Sequence, residues 1–75
     1  MWSKGSIKVK SSIFTYSVKY YDNPSEEYGI DGGRISKLTL KRGGKTVYNY
    51  DREPDIAPMD KDTEIALAVL VKEYN

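Results

Sequence analysis

Cysteine and histidine are both missing from this 75-residue chain, and each absence removes a class of chemistry. Without cysteine there is no disulfide to staple so small a domain and no thiolate nucleophile. Without histidine the commonest general base, proton shuttle and metal ligand is gone. An enzyme built from this chain would work with carboxylates, lysine and tyrosine alone, and no Walker-type loop gives them a phosphate to act on. The expectation is a protein that is not an enzyme and that carries no cofactor and no metal. Long apolar runs are missing too. The mean hydropathy is −0.64, and no stretch approaches the roughly 18 apolar residues of a membrane span. Residues 1–18 are charged and polar throughout, so no signal-peptide core is read there. A soluble, cytoplasmic protein without a membrane partner is expected.

A single domain over residues 1–75 is short enough to bury only about 60 to 65% of its unfolded surface. With disulfides and metal set aside, self-association is the reinforcement that remains.

What is present is charge sorted by segment beneath a net +1. Residues 1–21 hold Lys4, Lys8, Lys10 and Lys19 with no acid, and residues 22–33 hold Asp22, Glu26, Glu27 and Asp31 with no base. Residues 34–52 hold Arg34, Lys37, Lys41, Arg42, Lys45 and Arg52 against Asp51 alone. The tail carries Glu53, Asp55, Asp60, Asp62, Glu64 and Glu73 against Lys61 and Lys72.

The basic segments read as strands. Ile7 and Val9 alternate with Lys4, Ser6, Lys8 and Lys10, and Phe14, Tyr16, Val18 and Tyr20 alternate with Thr15, Ser17 and Lys19, so a hairpin with one apolar and one basic face is expected. A third strand runs from about Arg34 to Lys41, where Ile35 is out of step with Leu38 and Leu40 and a bulge near Ser36 would reconcile them. Arg42-Gly43-Gly44-Lys45 is a tight hairpin turn, since glycine supplies positive φ. The fourth strand covers Thr46 to Arg52, with its core side open between Val47 and the pair Tyr48 and Tyr50.

Pro54 and Pro58 hold off the helix until Asp60, the expected N-cap, with Asp62 and Glu64 in the first turn and Lys72 near the end. Ala66, Leu67, Leu70, Val71 and Tyr74 form its apolar stripe. Ile65 and Val69 lie beside that stripe and are the candidate interface of a homodimer. The fold class is therefore α+β: a four-stranded antiparallel sheet of two hairpins with one C-terminal helix packed on one face, ββββα. The 22–33 loop is long enough for either a meander or a crossed arrangement of the hairpins.

Gly29 to Leu38 (Gly-Ile-Asp-Gly-Gly-Arg-Ile-Ser-Lys-Leu) and Tyr50 to Pro58 (Tyr-Asp-Arg-Glu-Pro-Asp-Ile-Ala-Pro) resemble a group of short uncharacterised proteins from Firmicutes and their phages, over nearly the whole chain. The resemblance implies a small phage or mobile-element product, a class rich in proteins that disable a host component or a defence signal. It would bind, either masking a host protein or sequestering an anionic small molecule.

Three sets of residues are candidates for that binding. Asp31, Gly32, Gly33 and Arg34 could form a nest of backbone N–H groups for a phosphate or carboxylate, or only a turn that needs positive φ. Tyr50, Asp51 and Arg52 could frame a pocket beside them, or fix the turn into the helix. Lys4, Lys8, Lys10, Lys19, Lys37 and Lys41 could contact nucleic acid together with exposed tyrosines, or form an ordinary solvated face that discourages aggregation. Trp2, the sole tryptophan, has the apolar area of a core or interface plug.

Overall fold

A computed structural model of the protein describes residues 1–24, 26, 29–51, 54–56, 58 and 60–75, with the side chains at 31 and 54–56 left aside. The chain runs β1 (Trp2–Val9), β2 (Ser12–Tyr20), a 3-10 turn (Ile30–Gly32), β3 (Ile35–Arg42), β4 (Lys45–Asp51), β5 (Pro54–Ile56) and α1 (Lys61–Tyr74). The strands form one antiparallel sheet in the order β1-β2-β3-β4-β5. The two hairpins therefore lie side by side as a meander, and α1 crosses β1, β2 and β3 on one face. The short β5, read from sequence as part of a connection, pairs with β4 at the sheet edge. Proline suits such an edge because it lacks the N–H that an inner strand would donate.

Alternation decides which side chains meet the helix. Phe14, Val18, Leu38 and Leu40 are fully buried against Ala66 and Leu70, with Ile7, Tyr16, Leu67 and Val71 packed around them. Each large apolar side chain removed from water contributes about 1.5 to 3 kcal/mol. Two bulges keep this face continuous. Lys19 pairs with Lys37 but Tyr20 pairs with Ile35, so Ser36 is the extra residue and Ile35 returns to the core. Leu40 pairs with Tyr48 but Lys41 pairs with Thr46, so Val47 is the extra residue in β4 and Tyr48 and Tyr50 point inward. The second bulge settles the inner side of β4, which alternation alone left open.

Polar contacts fix both ends of the helix. At its start, the Asp60 carboxylate accepts from the Thr63 backbone N–H at 2.8 Å and from the Arg42 guanidinium at 2.6 Å, while Arg42 lies 5.3 Å from the Phe14 ring. Ser12 donates to Asp62 at 3.1 Å. At its other end, Tyr74 shares a 2.8 Å hydrogen bond with Ser3, and its ring lies 5.1 Å from that of Tyr20. No helix among the described residues is long and apolar enough to cross a membrane.

The two hairpin turns differ in fitness. Gly43 and Gly44 have φ of 61° and 78°, as a primed turn requires, but in the β1–β2 turn Lys10 has φ of 56°. A side chain there is strained, by about 1 to 2 kcal/mol in the left-handed region. Lys10→Gly is expected to raise stability by about 0.5 to 1 kcal/mol and Lys10→Val to lower it by about 1 kcal/mol, as measured by urea melts.

The helix start has its own pH signature. Hydrogen bonding from the Thr63 backbone N–H, and then from Arg42, holds the Asp60 carboxyl at about 2, below its ordinary value of 3.8. Because the folded value is the lower one, its contribution is complete above about pH 4 and is lost as pH falls through about 2. Asp60→Asn keeps a capping side chain but no charge. Its urea midpoint should fall less between pH 4 and pH 2 than that of the wild type; parallel curves would refute the assignment.

Candidate functional site

Among the described residues nothing covers the face opposite the helix, and strand register arranges it in rows. Trp2, Lys19, Lys37 and Asp51 stand side by side across β1 to β4; Lys4, Ser17, Thr39 and Asn49 form the next row. Ser6, Thr15, Lys41 and Thr46 follow, and Lys8 with Ile13 ends the series. Successive rows are two residues apart along the strands, roughly 7 Å. Five lysines thus share one surface because they occupy alternate positions in three neighbouring strands, with hydroxyls between them. A shallow depression of about 370 Å³ lies among Lys4, Lys41, Thr15, Ser17 and Thr39. A second, of about 310 Å³, adjoins it at Trp2, Lys4 and Ser17.

Among the described residues little on this face offsets its charge. Asp51 pairs with Lys37 at 3.6 Å, an exposed contact of the kind worth about 0 to 1 kcal/mol. Among the described residues, no acid pairs with Lys4, Lys8, Lys19 or Lys41. Lys19 instead places its ammonium 5.8 Å from the Trp2 ring and 5.5 Å from the Tyr21 ring, within cation–π range of both. Trp2 is 54% exposed and is no part of the core, so of the core or interface plug expected for it the core half does not hold. Its position at the start of β1, in phase with Lys4 and Lys8, was the signal in the sequence that placed it on the basic face.

Lys10 does not join the rows. It sits in the turn between β1 and β2, its positive φ taking it out of the alternation of β1.

The glycine segment is engaged within the chain. Gly32 N–H donates to the Gly29 carbonyl at 3.1 Å and Gly33 N–H to the Ile30 carbonyl at 2.8 Å. The Ile35 N–H donates to the Asn75 side-chain oxygen at 3.0 Å, and the Asn75 amide donates in turn to the Ile30 carbonyl at 2.9 Å. These N–H groups, the core of the expected anion nest, already have acceptors. Gly32 needs its φ of 72°, and Gly33 has a different reason to be glycine: any Cβ there would collide with the Asn75 carboxamide. Arg34 lies 6.0 Å from the Tyr20 ring.

The second candidate set is divided between faces. Tyr50 is buried on the helix side and Asp51 is exposed beside Lys37 on the other, so the two do not line one pocket. Arg52 and the side chain of Asp31 lie outside the described residues. On the helix, Val69 is 44% exposed, whereas Ile65 packs against the core. Ile65 is thus turned inward, its position next to the stripe serving to widen it. Beside the helix, Ile30, Pro58, Leu67, Ala68 and Val71 line a mainly apolar groove that Glu64 and Lys72 also border.

Fold and surface together define a small α+β module with one face closed by a helix and one basic face open. The chain belongs to the family DUF7678, a domain of unknown function, whose profile matches residues 1–75. No curated protein and no solved structure matches it.

The Asn75 contact gives a direct test of the glycine segment. Gly33→Ala displaces the carboxamide and its two hydrogen bonds and should cost about 1 to 3 kcal/mol. In an Asn75→Ala background most of that cost should vanish, as a double-mutant cycle in urea would report.

Proposed function

We propose that the protein is a non-enzymatic binding module that takes an anionic partner on the open face of its sheet. The observation that carries this reading is the placement of Lys4, Lys8, Lys19, Lys37 and Lys41 on one surface, with Asp51 the acid among them in the described residues, while Asp60, Asp62 and Glu64 lie at the start of the helix on the other side. Aligned like charges raise the local concentration of a counter-charged ligand and speed its approach. The hydroxyls of Thr15, Ser17 and Thr39 add neutral donors between them. A turn whose Gly32 and Gly33 N–H groups are already bonded offers an anion less than this surface does.

The resemblance of residues 29–38 and 50–58 to short phage-associated proteins supports a cytoplasmic, mobile-element setting, in which occupying this face would mask or sequester a host component. Self-association through exposed Val69 would set two such faces in one assembly.

The test uses inorganic polyphosphate as a generic polyanion, titrated by calorimetry at roughly 50 mM and 200 mM salt. Binding is expected at the lower salt and should weaken at the higher. Lys4→Glu with Lys8→Glu and Lys41→Glu should reduce it at least tenfold, whereas Lys61→Glu with Lys72→Glu on the helix should not. Absence of binding at low salt, or equal loss from the helix variant, would overturn the proposal.

A further inference from the structure

Resting on that reading of the open face, we infer that the anion is a single-stranded nucleic acid, bound with one base stacked on Trp2 and its phosphates following the lysine rows. An exposed indole is costly to leave in water, and here it stands at the end of a cationic surface instead of in the core. Lys19 is held against the same ring, so a base laid on the indole brings its flanking phosphate to a waiting ammonium. The depression at Trp2, Lys4 and Ser17 lies where that base would sit. The adjoining one, among Lys4, Lys41, Thr15, Ser17 and Thr39, presents charge and hydroxyls to the next phosphates and sugars. Cationic track plus aromatic platform is the combination by which single strands are held without sequence readout.

The geometry separates this ligand from its neighbours in chemistry. A duplex hides its base faces, and an open sheet surface without a projecting helix has nothing to place in a groove. An isolated nucleotide would meet one row and leave the others unused. An acidic protein surface would pair with the lysines but supplies no regular series of flat bases for the exposed indole, and the roughly 7 Å row spacing is comparable to that of successive phosphates in an extended strand.

The experiment is an anisotropy titration with a labelled oligothymidylate of about 12 nucleotides, against a duplex of equal length, polyphosphate and polyglutamate as competitors. Quenching of the sole tryptophan reports stacking on Trp2 itself. The single strand should bind about tenfold more tightly than duplex or polyphosphate, quench the indole, and show a log–log salt slope near −3 if four lysines meet phosphates. Trp2→Leu should lose about tenfold for the oligonucleotide and nothing for polyphosphate, Trp2→Phe should keep most of the affinity, and all three proteins should melt alike because Trp2 lies outside the core. Equal binding of oligonucleotide and polyphosphate, with Trp2→Leu indifferent, would overturn the inference while leaving the basic face as an anion site. Preference for polyglutamate would overturn it in favour of an acidic protein. No binding of any of the four would overturn both.

Discussion

Contact between one face of the sheet and one helix is the constraint on which the rest of the structure depends. Ala66 and Leu70 are buried against Phe14, Val18, Leu38 and Leu40, and Ala66 lets the helix backbone come close to the strands. In a chain with no covalent staple, that single layer of apolar contact supplies most of the gain set against chain entropy. It also dictates what is left over. A helix that closes one face of a meander leaves the other face to solvent, and β1 to β3 fill it mainly with lysine, serine and threonine, with Trp2 and Ile13 toward its ends.

The helix is held in place by side chains that also sort the charge. Arg42 ends β3 on the inner face, lies against Phe14, and reaches Asp60, so this arginine is met by an acid at the helix start. Acids in the first turn suit the positive end of the helix dipole, which is a local reason for them to be there. The result is a module that sets Asp60, Asp62 and Glu64 on the helix side of the core and Lys4, Lys8, Lys19, Lys37 and Lys41 on the other. Local capping chemistry thereby contributes to the polarity on which binding at the open face would depend.

The glycine segment shows how a local pattern acquires its meaning from distant residues. Two adjacent glycines before a strand fit an anion nest and fit a turn equally well. Here the Gly32 and Gly33 N–H groups bond to nearby carbonyls, while Asn75 bonds to Ile30 and Ile35 across 45 and 40 residues of sequence and rests on Gly33. Nothing in residues 29–38 announces that contact. Tyr50 and Asp51 illustrate the complementary point, since neighbours on a strand face opposite ways and two candidates adjacent in sequence seldom share a pocket.

By itself the sequence determined the features that arise from neighbouring residues. Alternation along the first two strands set their inner and outer faces, Gly43-Gly44 set the second hairpin, the mismatch of Ile35 with Leu38 and Leu40 placed a bulge at Ser36, and Asp60 with its acidic first turn set the helix start. The lysine face was legible for the same reason, because period-two spacing depends only on the strand's own pleat. Tertiary structure alone decided the meander order, the bulge at Val47 that turns Tyr48 and Tyr50 inward, the pairing of β5, the inward turn of Ile65 and the register that sets Lys19 against Trp2. Each of these depends on which residues of distant segments meet. Short-range periodicity cannot encode such meetings, because the same local pattern is compatible with more than one partner until the core has closed.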